Sequence, residues 1–114
     1  MLLSETEYKD TYIFDLDGTL CSKESDYSLA KPFHKRISKV NKLYDQGNKI
    51  IIYTARGMHS MNANVRKCYD KYYNFTRNQL VDWGVKFDVL MLGKPTYQYW
   101  IDDKASNDED FFKD

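Results

Sequence analysis

The sequence predicts an α/β fold built on a mainly parallel sheet, and three observations carry that prediction. Apolar, β-prone runs recur at Tyr12–Phe14, Lys49–Thr54 and Phe87–Leu92. The stretches between them hold apolar residues at helical spacing. Each run ends in small or polar residues, where the chain has to turn. Strand, helix, strand in this order is a βαβ unit, with parallel strands and a right-handed crossover.

The first strand, Tyr12-Ile13-Phe14, runs directly into Asp15-Leu16-Asp17-Gly18-Thr19-Leu20. Residues two apart on a strand share a face, so Asp15 and Asp17 point the same way. Two like charges at a buried strand end are costly unless a cation or hydrogen bonds compensate. An isolated Asp-Gly is usually a solvated turn. Asp-x-Asp-Gly-Thr placed directly after an apolar run is far more specific. It suits one carboxylate that attacks and another that carries a proton, with a metal between them to hold the charge.

Residues 21–31 have no period and are rich in serine and charge, so they read as a loop able to lie over the acidic turn as a flap. Pro32 sits where a first helical turn accepts it. Phe33, Ile37, Val40 and Tyr44 then mark one face of a helix that stops at Gly47. The unbroken apolar run of the second strand predicts burial on both faces.

That strand ends in Thr54-Ala55-Arg56-Gly57. Ligands of open parallel sheets bind at the C-terminal strand edge, so Thr54 arrives beside Asp15 and Asp17. Its hydroxyl can hold a phosphate oxygen or cap the next turn. Arg56 can be a phosphate fork or a solvated loop residue. His59 reads as an exposed loop histidine, and His34 as a structural residue of the first helix.

A helical segment follows over about 62–73, whose crowded tyrosines (Tyr69, Tyr72, Tyr73) read as packing rather than a base-stacking platform. Thr76 reads as the N-cap of a short second helix that stops at Gly84. The third strand delivers Gly93-Lys94-Pro95 to the shared edge. A fourth, short strand is predicted over Tyr97–Ile101, running into Asp102-Asp103. Ser106 or Asn107 would cap a terminal helix holding Phe111 and Phe112. Singly, Lys94 could be a solvated turn lysine and Asp102-Asp103 two exposed acids. Four successive strand ends bearing carboxylates, hydroxyl, ammonium and carboxylates supply what phosphoryl transfer to a carboxylate needs.

The 114 residues fit one domain, 1–114, with a core that needs no disulfides. Seventeen basic and seventeen acidic residues balance, so no net field draws in nucleic acid or an anionic membrane. The uneven runs, six Lys/Arg in 31–49 and six Asp/Glu in 102–114, read as solvated faces. Cys21 and Cys68 have no metal-ligand spacing and read as free thiols of a reducing cytosol. The N-terminus is too short and acidic for a signal peptide, and no apolar run is long enough to span a membrane. A soluble, cytoplasmic protein is expected.

On these residues the chain resembles the haloacid dehalogenase (HAD) superfamily of phosphatases. Asp-Leu-Asp-Gly-Thr-Leu, Thr54, Lys94 and Asp102-Asp103 match its four motifs in order and spacing. More narrowly, Tyr-Thr-Ala-Arg-Gly-Met, Trp-Gly-Val-Lys and Trp-Ile-Asp-Asp-Lys-Ala are similar to short HAD proteins found with bacterial capsule and surface-polysaccharide genes. The resemblance implies a three-layer Rossmann-like core and a phosphatase mechanism. Asp15 would be the nucleophile and Asp17 the acid/base. Thr54 and Lys94 would hold phosphoryl oxygens, with Arg56 a further candidate for substrate contact. Mg²⁺ would be bound by Asp15, the backbone carbonyl of Asp17 and Asp102, with Asp103 behind it or acting through water. An all-oxygen site of this kind suits Mg²⁺.

The implied substrate is a sugar or polyol phosphate of polysaccharide biosynthesis. The rival readings are a phosphatase of a nucleic-acid or protein substrate and a receiver-like phospho-acceptor without turnover. Asp17 favours turnover over the receiver, and the neutral charge speaks against nucleic acid. The chain departs from the family pattern in two ways: the connection after the third strand is very short, and no fifth strand is visible. Asp15 and Thr54 are 39 positions apart, and Thr54 and Lys94 are 40 apart, which leaves no room for an inserted cap domain. The 21–31 flap, a neighbouring subunit in a homo-oligomer or the bulk of the substrate would have to cover the site.

Overall fold

A computed structural model describes residues 7–113. Strand β1 (Thr11–Phe14) leads through a 3-10 turn (Tyr27–Leu29) to helix α1 (His34–Asp45). Strand β2 (Lys49–Thr54), helix α2 (Val65–Asp82), strand β3 (Val89–Leu92) and the short helix α3 (Asp108–Phe111) follow. The strands form a parallel sheet in the order β1-β2-β3. The α/β class with a parallel sheet is as expected.

Register places Phe14, Ile52 and Leu90 in one row across the sheet, and Ile13, Ile51 and Val89 in the next. Two right-handed crossovers that step in the same direction put α1 and α2 on the same face. Burial agrees. Phe14, Ile50, Ile52, Leu90 and Leu92 are buried with Ile37 and Val40 of α1 and Cys68 and Leu80 of α2. On the opposite face Ile51, Tyr53 and Val89 are half-buried, while Ile13 and Met91 are exposed. Of a three-layer arrangement, the described residues form the sheet and the layer over one face.

Helix α1 begins at His34, two residues beyond Pro32, and buries Ile37 and Val40 as its spacing predicts. Phe33 stays exposed. Gly47, at φ 96°, closes the helix: its amide donates to the Tyr44 carbonyl and that of Asn48 to the Leu43 carbonyl. Gly84 ends α2 in the same way.

Three local expectations are corrected. Helix α2 is one unbroken element capped by the Asn64 side chain, not two pieces divided at Thr76. Thr76 sits in a continuous stripe with Cys68, Tyr72 and Leu80, and its hydroxyl is used in the core rather than as a cap. Strand β3 starts at Val89 because the Asp88 carboxylate is occupied elsewhere, accepting from the Ile50 amide at 2.8 Å and the Tyr8 hydroxyl at 3.1 Å. The fourth strand does not form: residues 97–101 are irregular and exposed. The terminal helix is capped by Asn107, as one of the two alternatives predicts. Its Phe111 packs edge-on against Phe14 and Tyr12, and Asp108 pairs with Arg36 of α1 at 2.6 Å.

Candidate active site

Asp15 is the first residue after β1. The chain then turns sharply, with the amides of Thr19 and Leu20 donating to the Leu16 carbonyl and that of Gly18 to the Cys21 carbonyl. Leu16 points into the core while Asp15 and Asp17 stay partly open. The turn gives Asp15 a close neighbour, the Thr19 hydroxyl, which donates to Oδ2 at 3.1 Å.

The other Asp15 oxygen faces Lys94. Strand β3 ends level with β2, and the Lys94 amide donates to the Thr54 carbonyl at 3.2 Å. This sets Thr54 and Lys94 on one edge, and the Lys94 ammonium reaches Asp15 Oδ1 at 3.0 Å. Burial alone would lower the Lys94 pKa, but the Asp15 charge and hydrogen bonds with Asp15 and Tyr97 outweigh it, and the net shift is upward. Tyr97 and Trp100 stand over this ammonium, their ring centres 5.1 and 5.8 Å away. Thr54 is buried, and its hydroxyl accepts the Arg56 amide at 3.2 Å, the turn-capping role that its position also allows.

Arg56 is neither a free phosphate fork nor a solvated loop residue. It is 1% exposed. Its Nε and Nη2 each donate at 2.9 Å to a different oxygen of Asp17. Nη1 donates to the Gln79 side-chain carbonyl at 2.7 Å and the Thr76 hydroxyl at 3.3 Å. The guanidinium also lies over the Tyr27 ring. An arginine with its donors spent inside the core cannot meet a substrate in this arrangement, so the substrate-contact expectation for Arg56 is replaced by an anchoring role for Asp17.

The 21–31 loop packs beside this anchor. Its Tyr27 hydroxyl accepts the Gly57 amide at 3.0 Å, and its Tyr27 carbonyl accepts from Gln79 at 2.9 Å. Thr19, Tyr27, Thr76 and Gln79 are the supporting residues that sequence reasoning missed. Only Thr19 carried a signal, as part of the Asp-x-Asp-Gly-Thr stretch. Cys21 is buried beside Asp17, and burial first, then the Asp17 charge, pushes its thiol pKa up to about 12. It is not a nucleophile at neutral pH. His34 and His59 are exposed.

The acids expected from the fourth strand end are not gathered here. Asp102 and Asp103 are exposed, and the Lys104 amide donates to Asp102 at 2.8 Å, which holds that carboxyl below its usual range. Among the described residues no group of three or more His, Cys, Asp or Glu side chains is placed to hold a metal ion. The donors present in the single chain, Asp15 and Asp17, are turned to Lys94, Thr19 and Arg56. They do not by themselves fit a Mg²⁺ site.

What one chain does assemble is a carboxylate braced between an ammonium and a hydroxyl, with a second carboxylate fixed two residues away. A model of haloacid dehalogenase-like hydrolases matches residues 12–78, more than half of the chain and the part that holds Asp15, Asp17, Thr54 and Arg56. The crystal structure of a target protein from Vibrio cholerae is 30% identical, with a TM-score of 0.85 over 91% of this chain and 88% of that one. No curated protein matches the chain.

Proposed function

Because the chain belongs to the haloacid dehalogenase-like hydrolases, we propose that it hydrolyses a phosphate monoester through an aspartyl-phosphate on Asp15. The observation that carries this reading is the Lys94–Asp15–Thr19 arrangement beside a pinned Asp17. An Asp15 oxygen attacks phosphorus as the bond to the leaving oxygen breaks, and Asp17 supplies the proton that the leaving alkoxide needs. Water then attacks the phosphorus and gives a proton to Asp17, and the Asp15–phosphorus bond breaks to release phosphate. Lys94 follows the negative charge from the Asp15 carboxylate to the phosphoryl oxygens. Thr54 holds the edge on which Lys94 sits and offers its hydroxyl hydrogen to a phosphoryl oxygen.

Arg56 bears on the first of these steps. A guanidinium that donates to both oxygens orients Asp17 and occupies both of its proton-bearing atoms. Proton delivery therefore begins with the loosening of one of these two bonds. Dependence on Mg²⁺ belongs to the same proposal, as does a sugar or polyol phosphate substrate in capsule or surface-polysaccharide synthesis. The narrower sequence similarity supports that substrate class. Among the described residues no helix is long and apolar enough to cross a membrane, which suits the proposed cytoplasmic setting.

The test is a phosphate-release assay with Mg²⁺ on a panel of sugar phosphates, nucleotides and phosphopeptides. Sustained release from sugar phosphates is expected. A single phosphorylation event without turnover would indicate a receiver-like module, and release from nucleotides or phosphopeptides alone would move the substrate class.

A further inference from the structure

The segment Tyr97–Ile101 forms no strand in the single chain: Tyr97 and Trp100 stand over the Lys94 ammonium, and Asp102 and Asp103 after them are exposed. Tyr99 is 85% exposed and Ile101 91%, an unusual state for large apolar residues next to an active site. At the other side of the sheet, β1 pairs with β2 alone among the described residues, which leave its outer edge open. Ile13 on that edge strand is 62% exposed. An open apolar strand edge and an exposed β-prone segment within one molecule are complementary surfaces.

The chain cannot join them by itself. Only Gly93–Thr96 separates β3 from residue 97, and four residues span at most about 14 Å. A strand parallel to β1 on its open side must begin roughly 17 Å back along the sheet and about three strand spacings, ~14 Å, across it. The direct distance exceeds 20 Å, and parallel connections normally use a dozen residues or more. An antiparallel return beside β3 is within reach, but it would carry Asp102 and Asp103 to the edge opposite Asp15.

We propose that residues 97–113 are exchanged between two copies of this chain. The partner's 97–101 segment then extends the sheet parallel to β1, and the partner's Asp102 and Asp103 complete the Asp15 site. With Lys94 held on its own sheet edge, the three Cα steps from Lys94 to Tyr97 span about 10 Å, the spacing of stacked sheets. With Asp102 level with Asp15, Ile101 falls beside Phe14, Trp100 beside Ile13 and Gln98 beside Thr11. The exposed face bearing Ile13, Ile51, Tyr53, Val89 and Met91 provides the apolar surface on which two such sheets can meet.

Exchange gives up the contacts of Tyr97 and Trp100 with the Lys94 ammonium but keeps those of the terminal helix. The α3 contacts, Phe111 on Phe14 and Asp108 on Arg36, are remade unchanged between subunits. The short Gly93–Thr96 hinge is the kind that favours such exchange. The strand pairing and the burial of Ile101, Tyr99 and Ile13 are gained in addition. The assignment of Asp102 and Asp103 to the site rests on the phosphatase reading; the exchange does not.

Two differently tagged chains, Thr11→Cys and Gln98→Cys, are co-expressed and oxidised. Both positions are exposed and away from the site, and the native Cys21 and Cys68 are buried. A dimeric mass by light scattering and a disulfide-linked heterodimer are expected, with no linked dimer from either variant alone. A monomeric mass, or a dimer without that disulfide, would overturn the exchange. The same co-expression with Asp15→Asn and the double variant Asp102→Ala/Asp103→Ala should restore about a quarter of wild-type activity, since random pairing gives half heterodimers with one competent site each. Cross-linking without restored activity would leave the exchange standing and overturn the role of the two acids. A wild-type chain that cross-links yet hydrolyses no phosphate ester would refute the phosphatase reading alone.

Discussion

Arg56 grips both carboxylate oxygens of Asp17 at 2.9 Å while its own side chain is shut off from solvent. The pair joins three parts of the molecule, because the same guanidinium binds Thr76 and Gln79 of α2 and lies over Tyr27 of the 21–31 loop. Arg56 is therefore a positioning residue, and the geometry of Asp17 depends on it.

Replacing it should be severe. Arg56→Met leaves the Asp17, Thr76 and Gln79 groups short of donors, and breaking a buried pair from one side costs about 3–5 kcal/mol. Urea denaturation is expected to show that loss, together with a fall in kcat. Unchanged stability with a raised KM would instead mean that Arg56 serves the substrate.

The second prediction concerns pH. The Lys94 pKa is raised in the folded state, so its ion pair contributes stability fully below the unfolded lysine value of about 10.4 and loses it as pH rises through the higher folded value. Between pH 7 and 10 Lys94 stays charged. Inhibition by vanadate should not weaken over that range on account of Lys94, whereas Lys94→Met should weaken it by about the same factor at every pH. A titration of vanadate affinity near pH 8 that vanishes in Lys94→Met would contradict the Asp15–Lys94 pairing.

Cys21 supplies a third. A thiol pushed up to about 12 and buried under the 21–31 loop should resist alkylation at pH 8 in the native protein and react readily once the chain is denatured in urea. Mass spectrometry of iodoacetamide-treated samples reads this out. Rapid native labelling of Cys21 would mean that the loop opens freely and that the packing of Tyr27 on Arg56 is not a standing feature.

Much of this was legible in the residues, and the misses have physical causes. Strand ends were readable because apolar runs stop abruptly at Asp15, Thr54 and Lys94, and parallel topology carries those ends to one edge. The Asp15–Lys94 meeting follows from that rule. The fate of Arg56 is not readable there: its partners Thr76 and Gln79 lie twenty or more positions away on a helix whose sequence reads as broken at Thr76. A threonine's hydroxyl serves a cap or a buried guanidinium equally well, and only the packing of α2 against the loop after β2 decides between them. The run 97–101 has the composition of a strand, but composition does not encode whether a four-residue connection can reach an open edge.

A fourth prediction separates the two motif aspartates. Asp17→Asn should lower turnover by roughly 10²–10⁴-fold, the usual weight of general acid–base catalysis. It should also cost about 3–5 kcal/mol of stability, as Arg56→Met does, because the buried Arg56 keeps its charge and loses its carboxylate. With an ester whose leaving group needs no proton, formation of the phosphoenzyme should suffer less than its hydrolysis.

That difference provides the most direct measurement of the central claim. Asp17→Asn is mixed briefly with an activated phosphate ester, and intact-protein and peptide mass spectrometry locate any phosphoryl group. A base-labile adduct on Asp15, absent when Asp15→Asn is treated in the same way, is the expected result. A phosphoryl group on another residue, or an Asp15→Asn protein that turns over normally, would contradict Asp15 as the nucleophile.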